Sequence, residues 1–278
     1  MKKWGLSLIL MLWPFYAFAG ETSGYCGPKS GGNWGTNCTW EYDTQTHTLT
    51  VSGTGTMSGG IGHETDENGE TTYFNNAPWA EYAKDIKNAV INEGIGHIGY
   101  GTFYETTLEH VSIPQSVTII SSQSFQFSNL KEVNLPQNLK SIFHAAFNAT
   151  DIESFVIPAS FKGSDTYIFG SNKLKSITIE GNADFSKVML QGANLTKLTG
   201  IYCDTSNENC RSLLSDEQIG SKIKFYEKFG DQYLFKGKFY TSLDDIAGRN
   251  YDKKRIYTID EANIVAKPTG NRVSITYR

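Results

Sequence analysis

His63-Glu64 has the opening of a zinc-protease helix, in which a second His four residues after the first shares its helical face. Glu67 occupies that place, so the pair reads as part of an acidic loop. Asp66, Glu67 and Glu70 around Asn68-Gly69 are oxygen donors of the kind calcium takes, but their spacing is not that of an EF-hand loop. The five histidines, at 47, 63, 97, 110 and 144, lack the clustering of metal ligands. The Gly-rich stretches lack the Lys and the strand-to-helix context of a phosphate loop, and no nucleophile elbow is present. No cofactor and no metal site are implied, and the reading is of a protein that is not an enzyme.

The four cysteines carry the remaining chemistry. They fall as two close pairs, Cys26 with Cys38 and Cys203 with Cys210. Four cysteines allow three connectivities, of which nearest-neighbour pairing is the simplest. A disulfide closing a loop of about a dozen residues stabilises by roughly 3 kcal/mol in the chain-entropy model. A metal site would need His or Cys at tighter spacing, so structural disulfides in an oxidising compartment are expected.

The start of the chain agrees with such a compartment. Met1, Lys2 and Lys3 precede an apolar run from Trp4 to Tyr16 and then Ala17-Phe18-Ala19. A positive start, a short apolar core and a small-x-small site describe a cleaved secretory signal, here over 1–19. The run is short for a membrane span and holds Pro14, so no span is expected after cleavage. No Cys follows the expected cut and no apolar anchor ends the chain, which argues against lipid anchoring. Losing Lys2 and Lys3 takes the formal charge from −4 to −6. A mildly acidic chain without a basic cluster is a poor nucleic-acid binder, because that affinity comes from phosphate neutralisation.

What must position any site is a repeat. Ile91, Ile113, Leu135, Ile157 and Ile179 recur every 22 residues, with Ala89, Val111, Val133, Phe155 and Ile177 two residues earlier. Ile86, Leu108, Leu130, Ile152 and Leu174 share a third phase, and Phe103, Phe125, Phe147 and Phe169 a fourth. A fixed period of this length carried by apolar residues is the signature of a solenoid of stacked coils. The pattern weakens at Ser164 and Gln191 and fades through Leu195 and Leu198, so about five coils span 86–201. Open solenoid ends expose strand edges, so both need covers.

The flanks supply candidates. Residues 26–34 are Gly, Ser and Pro rich and suggest an irregular lead-in. Trp40 and Tyr42, then Leu49 and Val51, alternate with polar residues around a polar turn and predict a β-hairpin within an N-terminal cap, 20–85. Gly59 to Glu70 is expected to be a mobile loop, and a short helix is expected from Trp79 to about Lys84. In the C-terminal region, 202–278, strands are predicted at 223–226 and 233–235, and a tight hairpin at Phe235-Lys236-Gly237-Lys238-Phe239. Ser242 can cap a short helix, and the capping box Thr258-Ile259-Asp260-Glu261 predicts another from Ile259 to about Ala266. Val273, Ile275 and Tyr277 alternate as a final strand.

Several stretches carry a resemblance. Cys38-Thr39-Trp40-Glu41-Tyr42-Asp43, then Leu49-Thr50-Val51-Ser52-Gly53-Thr54-Gly55-Thr56-Met57, then Pro78-Trp79, then units such as Leu130-Lys131-Glu132-Val133-Asn134-Leu135-Pro136 resemble the BspA-like leucine-rich repeat proteins of bacterial surfaces. The likeness covers roughly residues 38 to 180. Together with the period and the flanks, it makes the expected fold mainly β with short helices, a leucine-rich repeat solenoid of about five coils between an N-terminal hairpin cap and a C-terminal α+β cap. It also implies export and a role in adhesion or host contact.

Strand side chains alternate faces, so Val111 and Ile113 point inward and His110 and Ser112 outward. Successive coils then align His110 with Glu132, Ser112 with Asn134, Ser154 with Ser176 and Val156 with Thr178. These eight short, mostly polar residues are the expected partner-binding face, able to hydrogen-bond a protein or glycan. The His110–Glu132 pair is expected to be a lateral surface contact. Two other functions fit the same chain: a secreted hydrolase with its site after Cys203, and a structural protein retained in the periplasm. The ligand's identity, like the oligomeric state, is not written in the residues.

Overall fold

A computed structural model of the chain describes residues 22–164, 166–170, 173–247, 256–258, 264–269 and 272–277. The expected signal segment lies outside them. Among the described residues no helix is long and apolar enough to cross a membrane.

The first three 22-residue coils each make a first strand, a second strand and a corner; the next two keep the first strand. The first strands Asn88–Ile91, His110–Ser112, Glu132–Val133, Ser154–Ile157 and Ser176–Ile179 follow one another along one side of the solenoid, a first ladder in two hydrogen-bonded parts that meet without strand pairing between Glu132–Val133 and Ser154–Ile157. Parallel partners stand one period apart, Asn88 opposite His110, His110 opposite Glu132 and Ser154 opposite Ser176. The second strands Ile95–Ile98, Ile119–Ile120 and Ser141–Ile142 form a second parallel ladder. The apolar phases all point between the ladders: Leu108, Leu130, Ile152 and Leu174 are buried, as are Ile91, Ile113, Leu135, Ile157 and Ile179.

The corner shows why the Phe phase exists. Phe103, Phe125 and Phe147 are fully buried and stack face to face, with centroids 5.2 and 5.1 Å apart. Beneath them the hydroxyls of Thr106, Ser128 and Thr150 donate to the carbonyls of Phe103, Phe125 and Phe147. A buried hydroxyl so paired avoids the penalty of an unmet donor. The corner backbone enters the left-handed region at two places per coil, Gly101, Gln123 and Ala145, then Glu105, Phe127 and Ala149. Glycine adopts this conformation freely; each of the other five residues is strained by roughly 1 kcal/mol. In the weaker coils Phe155 turns edge-on between Phe147 and Phe169, and Met189 and Leu190 fill the core beside Gln191.

The N-terminal region is more regular than its composition suggests. Residues 26–34, expected to be irregular, lie largely in strands Ser23–Ser30 and Asn33–Asp43, paired antiparallel and tied by the Cys26–Cys38 disulfide. Gly53 and Gly35 explain the glycine content: a Cβ on Gly53 would stand 2.2 Å from the Asn37 carbonyl oxygen, and one on Gly35 2.8 Å from that of Pro28. The hairpin of Asn33–Asp43 with Thr48–Gly53 forms as expected, Trp40 opposite Val51 and Tyr42 opposite Leu49. Its second strand pairs in parallel with Asn88–Ile91, and Gly55–Met57 pairs with Ile95–Ile98. Residues 48–57 therefore serve both ladders and behave as an extra coil. Buried Trp40 meets Trp79, which meets Phe103, so the cap continues the aromatic stack. The expected loop at Gly59–Glu70 is a correction: Ile61–Thr65 and Thr71–Asn75 form an antiparallel hairpin. The expected helix after Trp79 is a single 3-10 turn, Ala80–Tyr82.

At the other end the first ladder runs on beyond residue 201. Gly200–Asp204 and Ile223–Phe229 add two more parallel strands, Ser176 opposite Gly200 and Ile201 opposite Ile223. The insertion between them holds the short helix Glu208–Ser212 and the Cys203–Cys210 disulfide. Strands Gln232–Phe235 and Lys238–Tyr240 then turn back at Lys236-Gly237, both at positive φ. Ser242 caps helix Leu243–Ala247 through the Asp245 N–H, as expected. Ile256–Thr258 adds one more antiparallel strand beside Lys238–Tyr240. The helix expected over 259–266 is overturned where it is described, because Ile264–Thr269 is a strand paired with Arg272–Tyr277; residues 259–263 lie outside the described residues.

Candidate functional site

The outward rows of the first ladder form one face that begins in the N-terminal cap. Tyr25 stands opposite Thr39 and Thr39 opposite Ser52; Glu41 stands opposite Thr50, Thr50 opposite Val90 and Val90 opposite Ser112. A further row runs from Thr48 through Asn88 and His110 to Glu132. Asn134, Ser154 and Val156 continue the face in the next two coils, Asn134 exposed and the other two half-buried.

The expected neighbours meet. His110 Nδ1 lies 3.4 Å from Glu132 Oε1, with both side chains about half exposed, a geometry in which water screens most of the attraction. Ser176 and Thr178 are the correction. They hold the expected register, opposite Ser154 and Val156, but are 3% and 0% exposed. The C-terminal region folds onto them, and Tyr202, Tyr226, Phe235, Leu243 and Ile246 make a second small core there. The open face therefore ends near Val156.

The covering region gives the face a wall. A recess of about 260 Å³ lies at the junction, lined among others by Asn134, Val156, Glu180, Tyr233, Ser242 and Leu243. At the opposite end a trough of about 350 Å³ runs beside exposed Tyr25, over Thr39, Glu41, Thr50 and Ser52. Sequence reasoning missed both ends. The alternation of Leu49 and Val51 with Thr50 and Ser52 was visible, but the joining of that strand to the ladder had no local signal.

The charges beside the face follow the same period. Glu109 bridges Lys87 and Lys131, and Glu153 pairs with Lys175 at 2.8 Å. The Lys131 ammonium bonded to Glu109 holds that carboxyl below its ordinary range. Charge is thus neutralised along the flank, leaving the face itself sparsely charged.

Catalytic geometry is thin by comparison. His97 Nε2 lies 2.6 Å from Ser121 Oγ, and Nδ1 lies 3.4 Å from Thr56 Oγ1. In a Ser-His-Asp triad an anionic group behind the imidazole stabilises its cation, whereas here a threonine hydroxyl stands in that place. Burial holds the His97 imidazole neutral, and the three side chains clamp successive turns of the second ladder. After Cys203, Asp204 accepts hydrogen bonds from its neighbour Ser206, as a turn residue does. Among the described residues no group of His, Cys, Asp and Glu is placed to hold a metal.

Stacked coils with two parallel ladders, one open polar sheet face and capped ends define a leucine-rich repeat solenoid. The family described as BspA type Leucine rich repeat region matches residues 81–211 in six copies. Residues 81–211 are thus a leucine-rich repeat region of the BspA type. No curated protein matches it. Among solved structures it is similar to a leucine-rich repeat protein from Eubacterium ventriosum ATCC 27560, at 20% identity and TM-score 0.47, over 73% of this chain and 47% of that one. A leucine-rich repeat protein from Bacteroides capillosus ATCC 29799 is similar at 26% identity and TM-score 0.31, over 52% of this chain and 95% of that one. One from Bacteroides ovatus ATCC 8483 is similar at 18% identity and TM-score 0.32, over 70% and 52%. The chain thus spans about half the length of the first and last of these.

Proposed function

We propose that the chain is an exported recognition module, without catalytic activity, that holds a protein or glycan partner against the outer face of its first ladder. The observation that carries this reading is the run of short, mostly polar side chains on the outer strands, from Thr39 to Glu132 on one hydrogen-bonded sheet and at Ser154 and Val156 on the next. Within each sheet the strands are held by their pairing, so the shape of the face is set before any partner arrives. Preorganisation of this kind lowers the ordering cost of binding. Two disulfides support export, since such bonds persist in oxidising compartments. Placement at the bacterial surface follows the resemblance of the repeats.

The test is to replace Val90 and Ser112, opposite one another at the centre of the face, by Arg. The double variant is compared with the unaltered protein for capture of a panel of serum and matrix proteins and of arrayed glycans. Binding of at least one of these is expected, weakened at least about tenfold in a variant that melts normally. Unchanged binding by the folded variant would remove the face from consideration.

A further inference from the structure

The recess at the end of the face differs in chemistry from the rest of it. Its volume, about 260 Å³, lies below the roughly 300–1,000 Å³ of pockets that enclose drug-sized ligands, so it suits one compact unit. Its apolar surface comes from Val156 and Leu243 and its aromatic wall from Tyr233. The polar groups are of several kinds. Asn134 offers an amide donor and acceptor, and Glu180 two acceptor oxygens. Among the described residues neither side chain is hydrogen-bonded or ion-paired. Ser242 accepts the Asp245 N–H at 3.2 Å and keeps its own proton to donate.

A second observation lies one strand further in. Thr178, opposite Val156 across the ladder, is fully buried, and its hydroxyl has no hydrogen-bond partner among the described residues. An unmet buried hydroxyl costs about 1–3 kcal/mol, and this one stands beside Val156, which lines the recess. Among the described residues no Lys, Arg or His lines the recess, the cation at its wall being Lys228 over the Tyr233 ring, and Glu180 repels anions, so phosphate, sulfate and uronate are disfavoured. Alternating donors and acceptors over an apolar floor, with an aromatic ring at the side, match the two faces of a neutral sugar: hydroxyls at the rim and C–H groups on the plane.

We propose that this recess, formed by Asn134, Val156 and Glu180 of the ladder with Tyr233, Ser242 and Leu243 of the C-terminal region, binds a single neutral sugar unit at the end of a glycan. This deepens the reading of the ladder face as a binding surface and rests on it. It also gives the C-terminal region a role beyond covering the last coils.

The experiment is saturation-transfer NMR on the folded protein with methyl glycosides of neutral hexoses and with N-acetylglucosamine. Glucuronic acid, N-acetylneuraminic acid and a neutral peptide serve as comparisons. At least one neutral sugar is expected to bind, with affinity falling about tenfold in Asn134→Leu and in Glu180→Gln. Neither residue belongs to the apolar core, so both variants should fold, and a melting curve checks this. Capture of whole partners by Val90→Arg with Ser112→Arg is read separately and reports on the open face alone, which separates a failure of the recess from a failure of that face. No neutral sugar binding up to about 20 mM, a very weak affinity, would overturn the proposal. So would equal binding by both recess variants, or preference for the acidic sugars or the peptide.

Discussion

Tyr226 donates its hydroxyl to the carbonyl of Ile179 at 2.9 Å, joining residues 47 apart in sequence. The bond is buried, and it connects the strand that leads into the C-terminal hairpin with the fifth coil it covers. It is one reason why Ser176 and Thr178 are enclosed instead of open.

Tyr226→Phe keeps the ring and deletes this donor. Loss of a buried hydrogen bond typically destabilises by about 1 kcal/mol, and more where the acceptor is left unmet. Urea unfolding is expected to show a loss of about 1–2 kcal/mol, with faster amide exchange in strands Gln232–Phe235 and Lys238–Tyr240. Burial, with Asp204 and Glu180 nearby, pushes the phenol well above its ordinary 10.0. The folded state therefore keeps the proton that the unfolded chain releases near pH 10, and stability falls as pH rises past that value. The Phe variant should lose part of this alkaline slope.

The Phe stack separates core from surface within one corner. Phe125 is 0% exposed and stacked on both sides, whereas Phe127, two residues on, is 47% exposed. Phe125→Ala is expected to destabilise by about 3–5 kcal/mol, through lost burial and the cavity left behind. Phe127→Ala should act differently: Phe127 sits at φ +59°, an environment equally strained for Ala, and loses only its edge contact with Tyr104. A change below about 1 kcal/mol is expected, measured by the same denaturation series.

These contrasts show what could be read without coordinates. The inward residues were legible because one apolar position per 22 residues can only be satisfied by stacking, and His110 next to Glu132 followed directly. The buried Thr106, Ser128 and Thr150 obey the same period, but as polar residues they gave no hydrophobic signal. The extra coil at 48–57 was hidden because its return passes through the Ile61–Asn75 hairpin, which lengthens the spacing. The strands at 200–204 and 223–229 were hidden similarly, by an insertion holding Cys210. Ser176 and Thr178 looked like surface because their coverage depends on residues some 25 to 70 positions later, a tertiary contact with no local trace. The capping box at Thr258 was locally sound; the strand Ile264–Thr269 shows pairing overriding helix propensity.

Thr178 offers a direct measure of what that coverage does. Its hydroxyl is buried without a partner among the described residues, and Val has nearly the same shape without the polar group. Thr178→Val is expected to stabilise the protein by about 1 kcal/mol, read as a higher urea midpoint with unchanged slope. Ser176→Ala, one row away and also buried, provides a comparison on the same strand. A destabilised Thr178→Val would mean that the hydroxyl is in fact paired within the folded chain.

The second ladder should set the acid limit of stability. His97 sits between Thr56 and Ser121, bonded to each, and burial lowers its pKa below the ordinary 6.5. Below pH 6.5 the unfolded chain takes up a proton at this residue before the folded one does. Stability rises with pH wherever the unfolded state binds more protons, so it should decline as pH falls from 6.5 through the folded pKa and level off below it. His97→Gln retains hydrogen-bonding capacity but does not titrate, and is expected to flatten the curve in this window. Glu93, held by the Gln115 N–H and by Ser116, and Asp216, held first by the Lys187 ammonium and then by backbone N–H groups, titrate lower, since those bonds favour their charged forms. The two contributions therefore separate along the pH axis, and thermal unfolding between pH 4 and pH 8, about the span around the ordinary His value, distinguishes them. A slope unchanged by His97→Gln would place the acid sensitivity elsewhere and leave the clamp between coils electrically silent.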